Sequence, residues 1–215
     1  KWHLGYLQKH HPMNFGFQKF VGFKSGNVDY QSHRNRYGDV DWWDGLEMKN
    51  MPGYTTTLLT TLSEDYIKEN KDKPFCLYIA HAAPHSPMQG PNEKAIRTEA
   101  TLEGDKNSDR PNKEIYKDMV EELDWSVGRI LETLKKYKLD KNTFVVFFSD
   151  NGPVINNGGS TGGYRGAKGA PWEGGHRVPG ICYMPGTVKG GTMCKQTVMS
   201  FDLFPTMLDM ANIHY

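Results

Sequence analysis

Phe144-Val-Val-Phe-Phe-Ser-Asp-Asn-Gly152 is the stretch on which the fold turns. Five apolar residues, all β-branched or aromatic, run straight into Ser149, Asp150, Asn151 and Gly152. Such a run predicts a buried strand of the parallel type that stops at a carboxylate and an amide. In open α/β sheets, ligands collect outside the carboxyl ends of strands. Asp150 and Asn151 both offer oxygen there, the donor that hard cations such as Ca²⁺ or Mg²⁺ prefer. Asp-Asn-Gly is equally ordinary turn chemistry, so this stretch alone leaves both readings open.

The flanking sequence repeats the pattern. Phe75-Cys-Leu-Tyr-Ile-Ala80 predicts a second buried strand, and it runs into His81-Ala-Ala-Pro-His85-Ser-Pro87. Leu58, Leu59, Leu62, Tyr66 and Ile67 recur at helical spacing and predict a helix over 54–70. Ile115, Met119, Leu123, Val127, Ile130, Leu134 and Tyr137 form one apolar stripe, which predicts a helix over 113–139. Helix, strand, loop, helix, strand is the order of an α/β domain with crossover connections. Val178–Met184 predicts a third strand. Ser200–Ile213 predicts a short helix with Phe201, Phe204, Met207 and Leu208 facing inward and Pro205 in its first turn.

Three segments read as irregular. Ser25–Asp44 is polar and aromatic, either a surface excursion or a functional loop that selects substrate. Gln89–Pro111 reads as an exposed polar loop around Gly104-Asp-Lys-Asn-Ser-Asp109. Pro153–Gly191 is rich in glycine, which lets a backbone approach a ligand, and it carries Lys168, His176 and Arg177.

Composition excludes more than it identifies. At 215 residues the chain can bury a sizeable core. A net charge of +1 gives no electrostatic case for a nucleic-acid partner. Mean hydropathy is −0.66, and no apolar run reaches the ~20 residues that span a bilayer. Cys76, Cys182 and Cys194 lack metal-ligand spacing, and the first two read as small core residues.

Gathered together, the strand ends and glycine loops offer Lys1, His3, His85, Asp150, Asn151 and Lys168. That is an oxygen-type cation site ringed by lysines and imidazoles, suited to transfer chemistry on an oxyanion. Each residue alone has a plainer reading, as a surface lysine or a satisfied polar histidine. His81 reads as structural rather than catalytic.

Five motifs in order resemble the type I, formylglycine-dependent sulfatases, and among them the arylsulfatases and N-acetylgalactosamine sulfatases. They are Lys1-Trp-His-Leu-Gly5, Ala80–Pro87, Ser149-Asp-Asn-Gly152, Gly166-Ala-Lys-Gly-Ala-Pro-Trp-Glu-Gly-Gly-His-Arg177 and Ser200-Phe-Asp-Leu-Phe-Pro-Thr206. The resemblance implies an alkaline-phosphatase-like α/β fold, a mixed sheet flanked by helices and incomplete at both ends. It implies a Ca²⁺-dependent sulfuric-ester hydrolase, with Mg²⁺ as a second choice of cation. By the same resemblance Lys1 and Lys168 bind sulfate, and His3 handles the proton of the nucleophile. His85 holds sulfate and assists the leaving group, and Asp150 and Asn151 are metal ligands. Ser32 is a weaker match to a sulfate-contacting serine.

The sequence departs from the family in one large respect. The nucleophile is a formylglycine made from Cys or Ser in a C/S-x-P-x-R motif, and no such motif occurs in these 215 residues. Residues 1–215 therefore resemble the central part of a single catalytic domain, expected to be inactive alone. The nucleophile and a further pair of aspartate ligands are expected upstream, and a smaller subdomain is expected after the C-terminal end. The expected substrate is a sulfate ester, on carbohydrate or an aryl group, and the implied location is exported: periplasmic, secreted or lysosomal. A phosphodiesterase or phosphonate hydrolase of the same superfamily suits the same clamp. A non-catalytic remnant that only binds a cation or partner is the third reading.

Overall fold

The computed structural model describes residues 1–99 and 108–214. The predicted helices and the predicted strands over 144–148 and 178–184 appear in order, whereas the strand predicted over 75–80 does not form. Three short strands, β1 (Val21–Gly22), β2 (Trp43–Asp44) and β3 (Glu47–Met48), form an antiparallel ribbon. Helices α1 (Thr55–Glu69) and α2 (Asn112–Lys136) come next, followed by β4 (Val145–Phe148), the single-turn α3 (Glu173–His176), β5 (Gly180–Tyr183) and α4 (Leu203–Met210). The two long helices lie within a few residues of their predicted spans. α2 gives way at Tyr137, and Lys138 takes a left-handed conformation, φ 59°, that ends the helix.

α1 and α2 pack through small polar side chains as well as apolar ones. α1 buries Thr55, Thr56, Leu59, Thr60, Ser63 and Ile67, and α2 buries Ile115, Met119, Ser126, Thr133 and Leu134. Thr60 Oγ1 donates to Ser126 Oγ at 2.6 Å. Thr57 Oγ1 donates to Glu122 at 2.6 Å and Arg129 Nε to Glu64 at 2.9 Å, while the buried Thr56 hydroxyl has no partner among the described residues.

The core is centred on the segment read as irregular. Phe23, Val28, Tyr30 and Trp42 are fully buried beside Met119 and Ile115. Ser25–Asp44 is thus no surface excursion, although it carries almost no regular structure. Two carboxylates replace the missing ladder. Asp29 accepts backbone N–H groups from Gln31, Ser32, Ile96 and Arg97 at 2.7–2.9 Å. Burial alone would raise the Asp29 carboxyl, but these four donors more than reverse it and hold it below its ordinary range. Asp41 accepts from the backbone of Lys24 and Ser25 and from Trp43 Nε1.

Several expectations are corrected. β4 is not a buried parallel strand: it pairs antiparallel with β5, Val145 opposite Tyr183 and Phe148 opposite Gly180, and Phe148 is exposed. Phe75–Ala80 is extended but pairs with no strand among the described residues. Cys76 and Cys182 are exposed free thiols rather than core residues. Phe201, Phe204 and Met207 of the last helical stretch also face outward. For β4, β5 and the last helix the apolar pattern gave the right element, while burial needed a neighbouring layer that these residues do not supply. Gln89–Pro111 is not all exposed loop, since Gln89, Gly90 and Arg97 are buried against Asp29 and its neighbours. Its Gly104–Asn107 centre lies outside the described residues.

Candidate functional site

Three extended segments set the floor of the site. Trp2 N–H donates to Phe23 O at 3.1 Å and His3 N–H to Lys24 O at 2.9 Å, which ties the chain start to the core segment. The backbone nitrogen of Lys1 is hydrogen-bonded to Ala80 O, so residue 1 lies beside the end of the Phe75–Ala80 run. The loop beyond that run carries His85, flanked by cis peptide bonds at Ala83–Pro84 and Ser86–Pro87. Tyr30, fully buried, donates its phenol hydroxyl to His85 O at 2.9 Å. Tyr30 is itself fixed: its N–H donates to Gln89 Oε1 at 2.6 Å, and its ring stacks on Tyr54 at 5.3 Å.

The opposite wall is made of backbone. Gly152 N–H donates to Gly175 O at 2.8 Å, Gly174 N–H to Arg165 O at 2.8 Å and Lys168 N–H to Pro153 O at 3.0 Å. A Cβ on Gly152 would lie 2.0 Å from Gly174 O, and one on Gly175 would lie 2.0 Å from Ala170 O. Only glycine lets the Lys168 loop seat this closely against the Asp150–Gly152 turn.

Four of the sequence-predicted residues come together across these walls. Lys1 Nζ is 3.6 Å from Asp150 Oδ2. The His85 imidazole feels Lys168, Lys1 and Asp150 at once. Partial burial lowers its pKa first; the hydrogen bond to Ser86 O, 2.9 Å from Nδ1, raises it, and the two lysines lower it further. With Nδ1–H donating to Ser86 O, Nε2 is the nitrogen left for proton exchange. Asn151 adjoins Asp150 and turns its amide nitrogen to Gly152 O at 3.3 Å, leaving its side-chain oxygen without a donor among the described residues. Tyr78 also lies within electrostatic reach of Asp150.

His3 stands apart from this group. It adopts φ 58°, is exposed, and lays its ring against Gly26, where a Cβ would meet Nε2 at 2.7 Å. Ser32 donates to Arg97 O at 2.9 Å and so serves the loop clasp. His81 is enclosed, with Nδ1 unpartnered and Nε2 3.4 Å from Ser126 Oγ. Burial holds its pKa well below the ordinary imidazole value, so it is neutral at ordinary pH, in keeping with a structural role. Sequence reading missed Tyr30, Asp29, Asp41 and Gln89, which hold the site without standing in it.

The site thus brings two lysines, an imidazole and two side-chain oxygens together at the exposed rim of an α/β core, a set of groups able to hold an oxyanion. The profile of the sulfatase family matches residues 1–213, and the chain belongs to that family. It is 33% identical over 220 residues to arylsulfatase J of Mus musculus, covering 98% of this chain and 36% of that protein. It is 32% identical over 230 residues to N-acetylgalactosamine-6-sulfatase of Canis lupus familiaris, covering 99% of this chain and 42% of that one. Among solved structures, Ps i-CgsB in complex with k-i-k-neocarrahexaose superposes with a TM-score of 0.85 at 28% identity, over 100% of this chain and 50% of that one. The fold is accordingly the alkaline-phosphatase-like mixed α/β fold of the sulfatases. The chain spans less than half the length of the two sulfatase relatives.

Proposed function

We propose that the whole polypeptide is a sulfuric-ester hydrolase acting on sulfated carbohydrate or aryl sulfates, and that residues 1–215 are the central part of its single catalytic domain. The observation that carries this reading is the convergence of Lys1, His85, Asp150 and Lys168 from four separate segments. Membership of the sulfatase family favours sulfate over phosphate as the oxyanion.

Lys1 and Lys168 clamp the non-bridging sulfate oxygens and offset the charge that builds on them in the transition state. His85, in its protonated form, gives a proton from Nε2 to the departing alcohol oxygen. An anion seated between the lysines opposes their depressing effect on His85, so substrate itself favours the acid form. His3 is assigned to the proton of the nucleophile's hydroxyl.

Asp150 and Asn151 fit a hard cation in part. Both present oxygen, but Ca²⁺ takes about six to eight oxygens, and the described residues contain no group of three or more His, Cys, Asp or Glu suited to a metal. The remaining donors must come from outside these residues. When bound, Ca²⁺ or Mg²⁺ would neutralise part of the sulfate charge. The nucleophile, expected to be formylglycine, likewise has no C/S-x-P-x-R source here, so the 215-residue chain alone is expected to be inactive. An exported location goes with this reading, and no described helix is long and apolar enough to cross a membrane.

The test compares 4-nitrophenyl sulfate with the matching phosphate mono- and diesters on the full-length protein. Sulfate should be hydrolysed at least about 100-fold faster, and chelation should abolish turnover until Ca²⁺ is returned. A phosphate diester turned over faster than sulfate overturns the reading, as does turnover by the isolated 215-residue chain.

A further inference from the structure

Arg34, Arg110, Arg129 and Arg177 each lie within 3.1 Å of a carboxylate. Arg36 differs, having no carboxylate partner among the described residues. Its guanidinium lies over the Tyr37 ring, 4.8 Å from the centroid, and donates to Tyr37 Oη. The ring is 56% exposed, so a cation and an aromatic face are offered together to solvent.

The loop tip that carries them is firmly held. Tyr37 N–H donates to the buried Asn35 Oδ1 at 2.8 Å, Gly38 N–H donates to Asn35 O at 3.1 Å, and Arg34 Nη1 donates to Gly38 O. A Cβ at Gly38 would lie 2.7 Å from Thr98 O, so the tip is seated directly on the neighbouring loop. An arginine on so ordered a support loses little freedom on binding.

Tyr6 extends this surface toward the site. It is 57% exposed, with Ser25, Arg36 and Tyr37 within electrostatic reach of its phenol. Gly26, next to Ser25, lies under the His3 ring. Arg97 Nη1 donates to Asn27 Oδ1 at 3.0 Å and to Arg34 O at 3.3 Å, which ties the turn beside His3 to the base of the Arg36 loop, and Asp41 lies within electrostatic reach of Tyr6. Its carboxylate is taken up by three N–H donors and is buried, so it leaves the cationic character of the rim in place.

An exposed aromatic face suits the apolar side of a pyranose ring, and a guanidinium with no carboxylate partner among the described residues suits a carboxylate or sulfate bidentately. We propose that Tyr6, Arg36 and Tyr37 form a subsite for a second, negatively charged sugar ring next to the ring that carries the scissile sulfate ester. This rests on the sulfate-ester reading and sharpens it: the preferred substrate is a polyanionic oligosaccharide rather than an isolated aryl sulfate.

The full-length protein is assayed with disaccharides that share one sulfated ring and differ in the neighbour, which is neutral, uronate-bearing or sulfated. The wild type should favour an anionic neighbour, and Arg36→Ala should cut the anionic-to-neutral ratio of kcat/KM about tenfold, chiefly through KM. Arg36→Lys should restore part of that ratio, and whichever anion loses more identifies the charge the subsite reads. Tyr37→Ala and Tyr6→Ala should lower every disaccharide relative to 4-nitrophenyl sulfate. Calorimetric titration with a uronate disaccharide that lacks the ester reads the subsite without turnover. Weaker binding by Arg36→Ala supports it even if no sulfate ester is hydrolysed, in which case only the hydrolase reading fails. An unchanged ratio, or equal binding by wild type and Arg36→Ala, overturns the subsite.

Discussion

The two walls of the site are held by opposite means. The wall carrying His85 is fixed by buried side chains: the Tyr30 hydroxyl on His85 O, and Gln89 bridging Tyr30 N–H and Asp29. The wall carrying Asp150 and Lys168 is fixed chiefly by main chain, through glycines whose missing side chains leave room for carbonyl groups. The first wall should fail gradually, one hydrogen bond at a time. The second has no intermediate state at Gly152, Gly174 and Gly175, where an added Cβ meets a backbone carbonyl that cannot step aside.

Gly152→Ala is therefore the change of largest expected effect. Its Cβ would sit 2.0 Å from Gly174 O and push the Lys168 loop off the Asp150 turn. Displacing a clamp by about 1 Å costs on the order of 100-fold in rate. We expect at least that loss of sulfate-ester turnover in the full-length protein. Gly169→Ala is the control, since its Cβ meets nothing and only the φ of +83° opposes it, at about 1 kcal/mol. If Gly152→Ala keeps half the activity, the wall is not held as described.

Asp29→Ala tests the other wall at its foundation. Four backbone donors would lose their acceptor inside the core, a loss of about 3 kcal/mol in unfolding free energy. The sign of its pH dependence follows from the lowered pKa. Asp29 contributes full stability above the ordinary carboxylate range and loses it as pH falls through its own depressed value. Denaturant titrations across the acid range should show this dependence in the wild type and not in Asp29→Asn.

These two positions also mark what could be read from sequence. The turn of the Asp150 wall was legible because Asp150, Asn151 and Gly152 are contiguous, and strand-end chemistry is local. The Asp29 wall was only half legible. Its bonds to Gln31 and Ser32 are an Asx-type turn visible in the chain, but its bonds to Ile96 and Arg97 reach 67 and 68 residues onward. No periodicity announces such a partner, so a core segment looked like a surface loop. The reverse error arose at Phe201 and Phe204, where an apolar stripe was read as buried although no described layer covers it.

The smallest expected effects lie around His85 and separate positioning from chemistry. Tyr30→Phe removes one hydrogen bond and leaves His85 O unpaired, for about 1 kcal/mol of stability. If Tyr30 also aims the imidazole, the rate loss should be larger for alkyl and sugar sulfates, whose departing oxygen needs a proton, than for 4-nitrophenyl sulfate, which leaves well without one. Equal losses would reduce Tyr30 to a structural part. The pH profile supplies the independent check. The His85 acid form disappears as pH rises through a pKa held below its ordinary value by burial and by Lys168 and Lys1. Turnover of poor leaving groups should fall along that limb. Lys168→Met removes one depressing cation, so the limb should move to higher pH even as overall activity drops. A limb that stays in place, or moves to lower pH, would mean that another group supplies the proton.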